Sequence, residues 1–173
     1  NWLNTGSLNI FGLPMSGKDT VGMRLAKDLQ AKFLSSGIII RAYEAEQNEY
    51  MTGSGRLIPT NTFYDIILPY FSREELRNDA LVLSSVGRWS GEAEFLMEEM
   101  KTGNYGASQA GGHEIKAVVM LDLTEEEVKN RFEAAKTLND RGERADDSNI
   151  EVFETRLAEF REKTMPVLNH YDE

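Results

Sequence analysis

The run G-L-P-M-S-G-K-D-T, Gly12 to Thr20, constrains this chain more than any other feature of it. It follows a short apolar segment, Ser7 to Phe11, and opens a stretch of helical periodicity that begins at Lys18. Strand, glycine-bounded turn and helix together form the setting in which successive backbone N–H groups curl around an anion, and the helix N-terminus adds its positive end. Gly12 and Gly17 permit backbone angles that a side chain resists. The Lys18 ammonium then reaches a bound phosphate. The competing reading is a glycine turn before an ordinary helix; with strand, loop and helix all in place, the phosphate loop is preferred. Its candidate contacts are Gly12, Pro14, Met15, Ser16, Gly17, Lys18, Asp19 and Thr20. After the Gly-Lys pair such loops often carry Ser or Thr for a metal, but here Asp19 comes first and Thr20 second. Asp19 is either a helix-start acid, a dipole effect of about 0.3–1 kcal/mol, or a group that faces a metal ion.

The rest of the chain alternates between two periods. Val21, Leu25, Ala26, Leu29 and Phe33 recur at helical spacing, which predicts one helix from Lys18 to Leu34. Gly37 to Arg41 is β-branched and reads as a buried strand; Ala80 to Ser84 and Ala117 to Asp122 read as two more. Arg41 to Gly55 is polar and reads as partly helical. Thr60 caps a helix to Tyr70 that Pro69 disturbs. Ser90 starts a helix to about Thr102, with Phe95, Leu96 and Met100 inward. Thr124 and Glu127 form a capping box for a helix to about Leu138, and Ser148 or Asn149 caps a last helix that ends near Tyr171, has Val152, Leu157, Phe160 and Met165 among its apolar positions, and should be kinked by Pro166. Gly103 to Gly112 and Asn139 to Ser148 read as loops, and His113 and His170 as surface residues. Strands alternating with helices argue a three-layer α/β fold, a mainly parallel sheet flanked by helices, because parallel strands need a crossover. The 173 residues fit a single domain spanning 1–173. Ligands of such sheets sit beyond the C-terminal ends of the strands, where the candidate motifs lie.

Composition narrows the partners. Twenty-nine acidic residues against 19 basic ones give a net charge of −10. Such a surface repels phosphate backbones and anionic lipid, so neither nucleic acid nor membrane is an expected partner. A local positive pocket for a small phosphorylated ligand stays compatible with it. The chain has no cysteine, which excludes disulfides, thiol nucleophiles and Cys-ligated metals and fits a cytoplasmic location. Apolar runs such as Ala117 to Leu121 fall far short of the ~20 residues that span a bilayer, and no signal peptide is legible at the N-terminus. The sequence begins at Asn1 without a methionine, as a trimmed chain or part of a longer protein does.

Four blocks taken together resemble the adenylate kinase family of nucleoside monophosphate kinases. The first is G-x-P-x-S-G-K-x-T at Gly12 to Thr20. The second is R-A-D-D, Arg144 to Asp147, followed by a helix in which Arg156, Leu157, Phe160, Thr164, Pro166 and Tyr171 match or nearly match the family pattern. L-V-L-S-S-V-G-R, Leu81 to Arg88, stands where the family has a strand ending in D-G-F-P-R. G-R-L-I-P-T, Gly55 to Thr60, resembles the G-x-L-V-P-D before its nucleotide-binding helices. The resemblance implies a P-loop NTPase fold with a five-stranded parallel core, an acceptor-binding segment at 41–79 and a short lid at 134–147. It implies that ATP with Mg²⁺ phosphorylates a nucleoside monophosphate, AMP by family frequency, on a monomeric enzyme. Lys18, Arg88, Arg144 and Arg156 are the implied catalytic residues. Arg88 and Arg41 would bind the acceptor, and Arg131 stands where the family stacks an arginine on the ATP base. For each arginine the competing reading is a solvated helix face with a nearby acid, as Glu127 is to Arg131.

The chain also departs from the family pattern. Its D-G-F-P-R aspartate, which organises magnesium waters, is Ser84 here, and no Thr-Gly-Asp triplet follows the second strand. The lid has no room for a zinc subdomain. Gly37 follows Ser36 abruptly, as though residues were missing there, and the chain stops before the family's final strand and helix. One acid lost at Ser84 and one gained at Asp19 suggest that Asp19 takes over part of the metal role. The alternatives are a nucleotide-binding protein with weak or no kinase activity, and a kinase for CMP, UMP or another small acceptor.

Overall fold

A computed structural model of the chain describes residues 2–47, 59–105, 108–109, 112–138 and 149–171. The elements run β1 (Ser7–Gly12), α1 (Lys18–Asp28), β2 (Lys32–Ser35), α2 (Ser36–Gln47) and α3, a continuous helical stretch made of Thr60–Thr62, the π segment Phe63–Ile67 and Leu68–Tyr70. Then come β3 (Leu81–Ser84), α4 (Ser90–Thr102), a small antiparallel hairpin β4 (Asn104–Tyr105) and β5 (Ser108–Gln109), β6 (Ile115–Leu121), α5 (Glu125–Leu138) and α6 (Ile150–Glu159). The last helix continues through a π segment, Phe160–Thr164, and Met165–Leu168.

The main sheet has the order β2-β3-β1-β6, and every pairing in it is parallel. This is the three-layer α/β P-loop architecture. Among the described residues the sheet has four strands, one fewer than the family resemblance implies. Central β1 is buried at all six positions, as a parallel strand covered on both faces should be. Its neighbours alternate. Leu81 and Leu83 of β3 join Ile39, Ile67 and Phe71 on one face, whereas Val82 joins Leu8, Ile10 and Ala26 of β1 and α1 on the other. A third cluster lies beyond the end of β1. Leu13 packs there with Val128, Phe132, Phe153 and Leu157, and the rings of Phe132 and Phe153 stack at 4.4 Å and 12°.

Two elements differ from the periodicity reading. The first helix ends at Asp28, not Leu34. Gln30 adopts φ 52, Ala31 N–H donates to the Ala26 carbonyl at 2.8 Å, and Gln30 N–H donates to Lys27 at 3.3 Å. That is a Schellman terminus with glutamine where glycine is usual, so the sequence carries no stop signal. The second strand is therefore Lys32–Ser35, and Gly37 to Arg41 is the first turn of α2 rather than a strand. The Ser35 hydroxyl caps this helix by accepting from Ile38 N–H at 3.1 Å. Strand passes into helix with no loop between them, which accounts for the abrupt junction at Ser36.

Pro69 and Pro166 both lie within helical stretches, and each is preceded by a five-residue π segment. Proline lacks an N–H and clashes with the carbonyl four residues back; the wider π turn accommodates it without a break. Leu96 and Met100 of α4 are fully buried, but Phe95 is 41% exposed and rests on Tyr64, their centroids 4.6 Å apart. Met165 is likewise exposed. His113 is not a surface residue: it is buried, and its Nδ1 donates to the Thr5 carbonyl at 2.8 Å. His170 pairs with Glu94 at 3.2 Å. The capping box forms as read, with Glu127 N–H donating to the Thr124 hydroxyl at 3.2 Å and Thr124 N–H to Glu127 Oε2 at 2.7 Å. Asn149 caps α6 by accepting from Glu151 N–H at 2.9 Å. No helix among the described residues is long and apolar enough to cross a membrane.

Candidate active site

The phosphate loop is shaped by its two glycines and fastened from below. Gly17 takes φ 87 and forms the N-cap of α1. A Cβ on Gly12 would stand 2.7 Å from Ser16 Oγ, so the loop closes on itself only without a side chain there. Met15 is also left-handed, at φ 66. Ser16 N–H donates to the Leu13 carbonyl at 3.1 Å, and Leu13 and Met15 pack against α5 and α6. Lys18 Nζ donates to the Leu13 carbonyl at 3.3 Å, which holds the ammonium over the loop. Arg131, on α5, donates through Nη1 to the Ser16 carbonyl at 2.9 Å and clamps the loop from its outer side.

A cleft opens where β1, β2 and β3 end. It is lined by Gly12, Pro14, Met15, Gly17, Lys18, Asp19 and Thr20 of the loop region, by Arg41 of α2, by Arg88 after β3 and by Arg156 of α6. Residues read separately from the sequence thus share one cavity. Ser16 and Arg131 stand behind the loop rather than in the cleft wall. Arg144, Asp146 and Asp147, with most of the proposed lid, lie outside the described residues, as does 48–58 of the acceptor segment.

Arg88 is held at its backbone and at its side chain. Its Nε donates to the Ser85 carbonyl at 3.0 Å. That carbonyl is exposed to it because Ser85 is left-handed, at φ 54, and it also accepts from the Ser36 hydroxyl at 2.5 Å. Asn9 on β1 holds the same turn from inside the sheet: its Nδ2 donates to the Val86 carbonyl at 2.8 Å. Burial, and then the like charge of Arg156, lowers the Arg88 pKa to about 10 against the pull of Asp19 and Glu92. Two guanidinium groups lining one cleft, close enough to repel, are what an anion-binding site needs.

Sequence reasoning missed four participants. Ser35 and Ser85 are the cap and the strained turn just described. Glu159 lines the cleft and is paired to Lys163 at 2.8 Å, while Lys163 in turn lies 4.4 Å above the Trp89 ring. Glu92 is buried and accepts from Arg88 N–H at 3.2 Å and Trp89 N–H at 3.4 Å, which fixes the turn that carries Arg88. Its burial pushes its carboxyl pKa up. The signal was present: Glu92 stands three residues after its N-cap, but that cap is Trp89 and not Ser or Thr.

Among the described residues no three acidic or imidazole groups gather to hold a metal by themselves. Asp19, Thr20 and Ser84 are a different kind of donor set, all oxygen, at the edge of the phosphate loop. The Ser84 hydroxyl donates to Asp19 Oδ1 at 2.6 Å. Such a set suits a hard divalent cation that draws its remaining ligands from phosphate and water.

Comparison with known proteins finds kinases that match most of the chain's length. The adenylate kinase of Thermus thermophilus is 29% identical over 177 residues, covering 98% of this chain and 86% of that protein. The UMP-CMP kinase of Lentinula edodes is 28% identical over 173 residues, covering 94% and 72%. The chain is similar to adenylate kinases over nearly its whole length. No protein-family model matches it. Among solved structures, a gluconokinase from Sinorhizobium meliloti 1021 aligns with a TM-score of 0.48 at 16% identity, over 90% of this chain and 74% of that one. The loop that begins the resemblance and the helix that ends it meet at the same cleft.

Proposed function

We propose that the chain is an ATP-dependent nucleoside monophosphate kinase, with AMP as acceptor. The observation that carries this reading is the convergence of Arg88 and Arg156 on one cleft with Lys18 and the phosphate loop. Phosphoryl transfer asks little covalent chemistry of a protein. It requires donor and acceptor phosphates in line, their charge neutralised and water kept out. Lys18 and the loop N–H groups hold the β- and γ-phosphates of ATP. Arg88, pinned by Ser85 and backed by Glu92, holds the acceptor phosphate. Arg156, together with Arg144, spans the group in flight, and a planar guanidinium fork suits that task. Arg41 stands at the acceptor side and Arg131 orders the loop from behind. Mg²⁺, held by donors such as Asp19 and Thr20, supplies charge neutralisation to the phosphates when bound. The segment 41–79 takes the acceptor and 134–147 closes as a lid over a single-domain monomer.

A second reading, a nucleotide-binding protein of weak or no kinase activity, is favoured by Ser84 in the place of the family's acid. The relative that acts on UMP and CMP, by its name, keeps those acceptors in play. ADP release measured with AMP, CMP, UMP and GMP, with and without Mg²⁺, separates these readings. Mg²⁺-dependent turnover, fastest with AMP, is the expected result. ATP binding without transfer to any acceptor would support the second reading instead.

A further inference from the structure

The cleft is lined by four cationic side chains, Lys18, Arg41, Arg88 and Arg156, and by two carboxylates, Asp19 and Glu159. Glu159 is held by Lys163 at 2.8 Å on the α6 side. Asp19 stands one residue beyond Lys18, at the rim of the loop that cradles phosphate. A carboxylate there repels a polyphosphate unless a cation lies between them. Its neighbours match that requirement. Ser84, at the C-terminal end of β3, turns its hydroxyl to Asp19 Oδ1 at 2.6 Å, and Thr20 adds a second hydroxyl to the same cleft. Magnesium is typically bound through one or two carboxylates plus substrate phosphates, with the remaining positions left to water.

We propose that Asp19, oriented by the Ser84 hydroxyl, is the protein's carboxylate for the divalent cation that accompanies the phosphates. Strand end and helix start meet at one hydrogen bond, so an acid on either element faces the same phosphates. Asp19 thereby ceases to be only a helix-start acid. The inference rests on the reading of the cleft as a triphosphate site.

Calorimetric titration with ATP, in EDTA and in Mg²⁺, tests it on the full chain. Wild-type protein should bind ATP more tightly with Mg²⁺. Asp19→Asn keeps an oxygen for the Ser84 hydroxyl but removes the charge. It should shrink the Mg²⁺ gain roughly tenfold or more, while Mg²⁺-free ATP binding tightens because a negative charge beside the phosphates is gone. The exchange Asp19→Gly with Ser84→Asp should restore the gain. A purely structural Asp19 would lower the melting temperature and leave the Mg²⁺ gain intact, and that outcome overturns the proposal; so does a folded exchange variant that fails to recover it. Wild-type protein that binds no ATP in either condition overturns the triphosphate reading and this inference with it. Wild-type protein that binds Mg²⁺-ATP but phosphorylates no acceptor removes only the kinase reading, and the Asp19→Asn result still decides the metal ligand.

Discussion

Arg88→Met should separate stability from function. The Arg88 guanidinium is partly buried beside Arg156, and its pKa is lowered from the ordinary arginine value to about 10, a difference worth about 3 kcal/mol between the charged and neutral forms. A base with a lowered pKa in the folded state destabilises that state wherever it is charged. The penalty is therefore fully present below about pH 10 and disappears only as pH rises towards the ordinary arginine pKa. Methionine removes it at neutral pH. It also removes the bond from Nε to the Ser85 carbonyl, a charged hydrogen bond of about 1.5–3 kcal/mol. That carbonyl keeps its second donor, Ser36. The balance is a stability gain of about 0–2 kcal/mol, a melting temperature unchanged or up to about 6 °C higher. Turnover should fall roughly 10³-fold or more, because the arginine that holds the acceptor phosphate in line is lost. Differential scanning calorimetry and an ADP-release assay read both quantities on one preparation. Pyrophosphate should raise the melting temperature of wild type more than that of the variant, since an anion relieves the Arg88–Arg156 repulsion only where both charges exist. A melting temperature several degrees lower, or turnover within tenfold of wild type, would refute the reasoning.

Other substitutions test separate parts of the site. Gly17→Ala places a side chain at φ 87, which should destabilise by about 1–2 kcal/mol and abolish measurable ATP binding by calorimetry. Arg131→Ala removes the 2.9 Å bond to the Ser16 carbonyl; KM for ATP should rise several-fold with the melting temperature within about 2 °C of wild type. Burial lowers the His113 pKa from its ordinary 6.5, so protons prefer the unfolded chain and stability is lost as pH falls below 6.5. His113→Asn, which keeps a donor for the Thr5 carbonyl, should flatten the drop in melting temperature between pH 7 and pH 5.

What was legible in the sequence was local. The phosphate loop announced itself because strand, glycines, lysine and helix are contiguous, and the Thr124 box because both partners lie within one turn. The end of α1 was illegible because the Schellman terminus uses Gln30, and because Phe33 falls on the helical period by coincidence although it belongs to β2. A Cβ on Gly22 would stand 2.4 Å from the Phe33 ring, a contact between helix and strand that no one-dimensional period encodes. The isoleucines of α2 look like a strand by composition. They form a helix because Ser35 caps it and Ile39 and Ile40 reach the core from one face. The arginines were legible only through family resemblance. Their convergence is a property of topology: β3 lies beside β1, and α6 packs over the loop between β1 and α1. Glu92 escaped notice because an aromatic residue occupies its cap position.

The central claim is that the phosphate loop and the distant guanidinium groups address one continuous run of phosphates. Calorimetric titration with two adenosines joined by five phosphates tests it most directly, because such a ligand fills donor and acceptor ends at once. Binding at least a hundredfold tighter than ATP is expected, with that advantage lost in Arg88→Met and Arg156→Met and all binding lost in Lys18→Met. Affinity no better than that of ATP alone, or insensitive to Arg88 and Arg156, would contradict it.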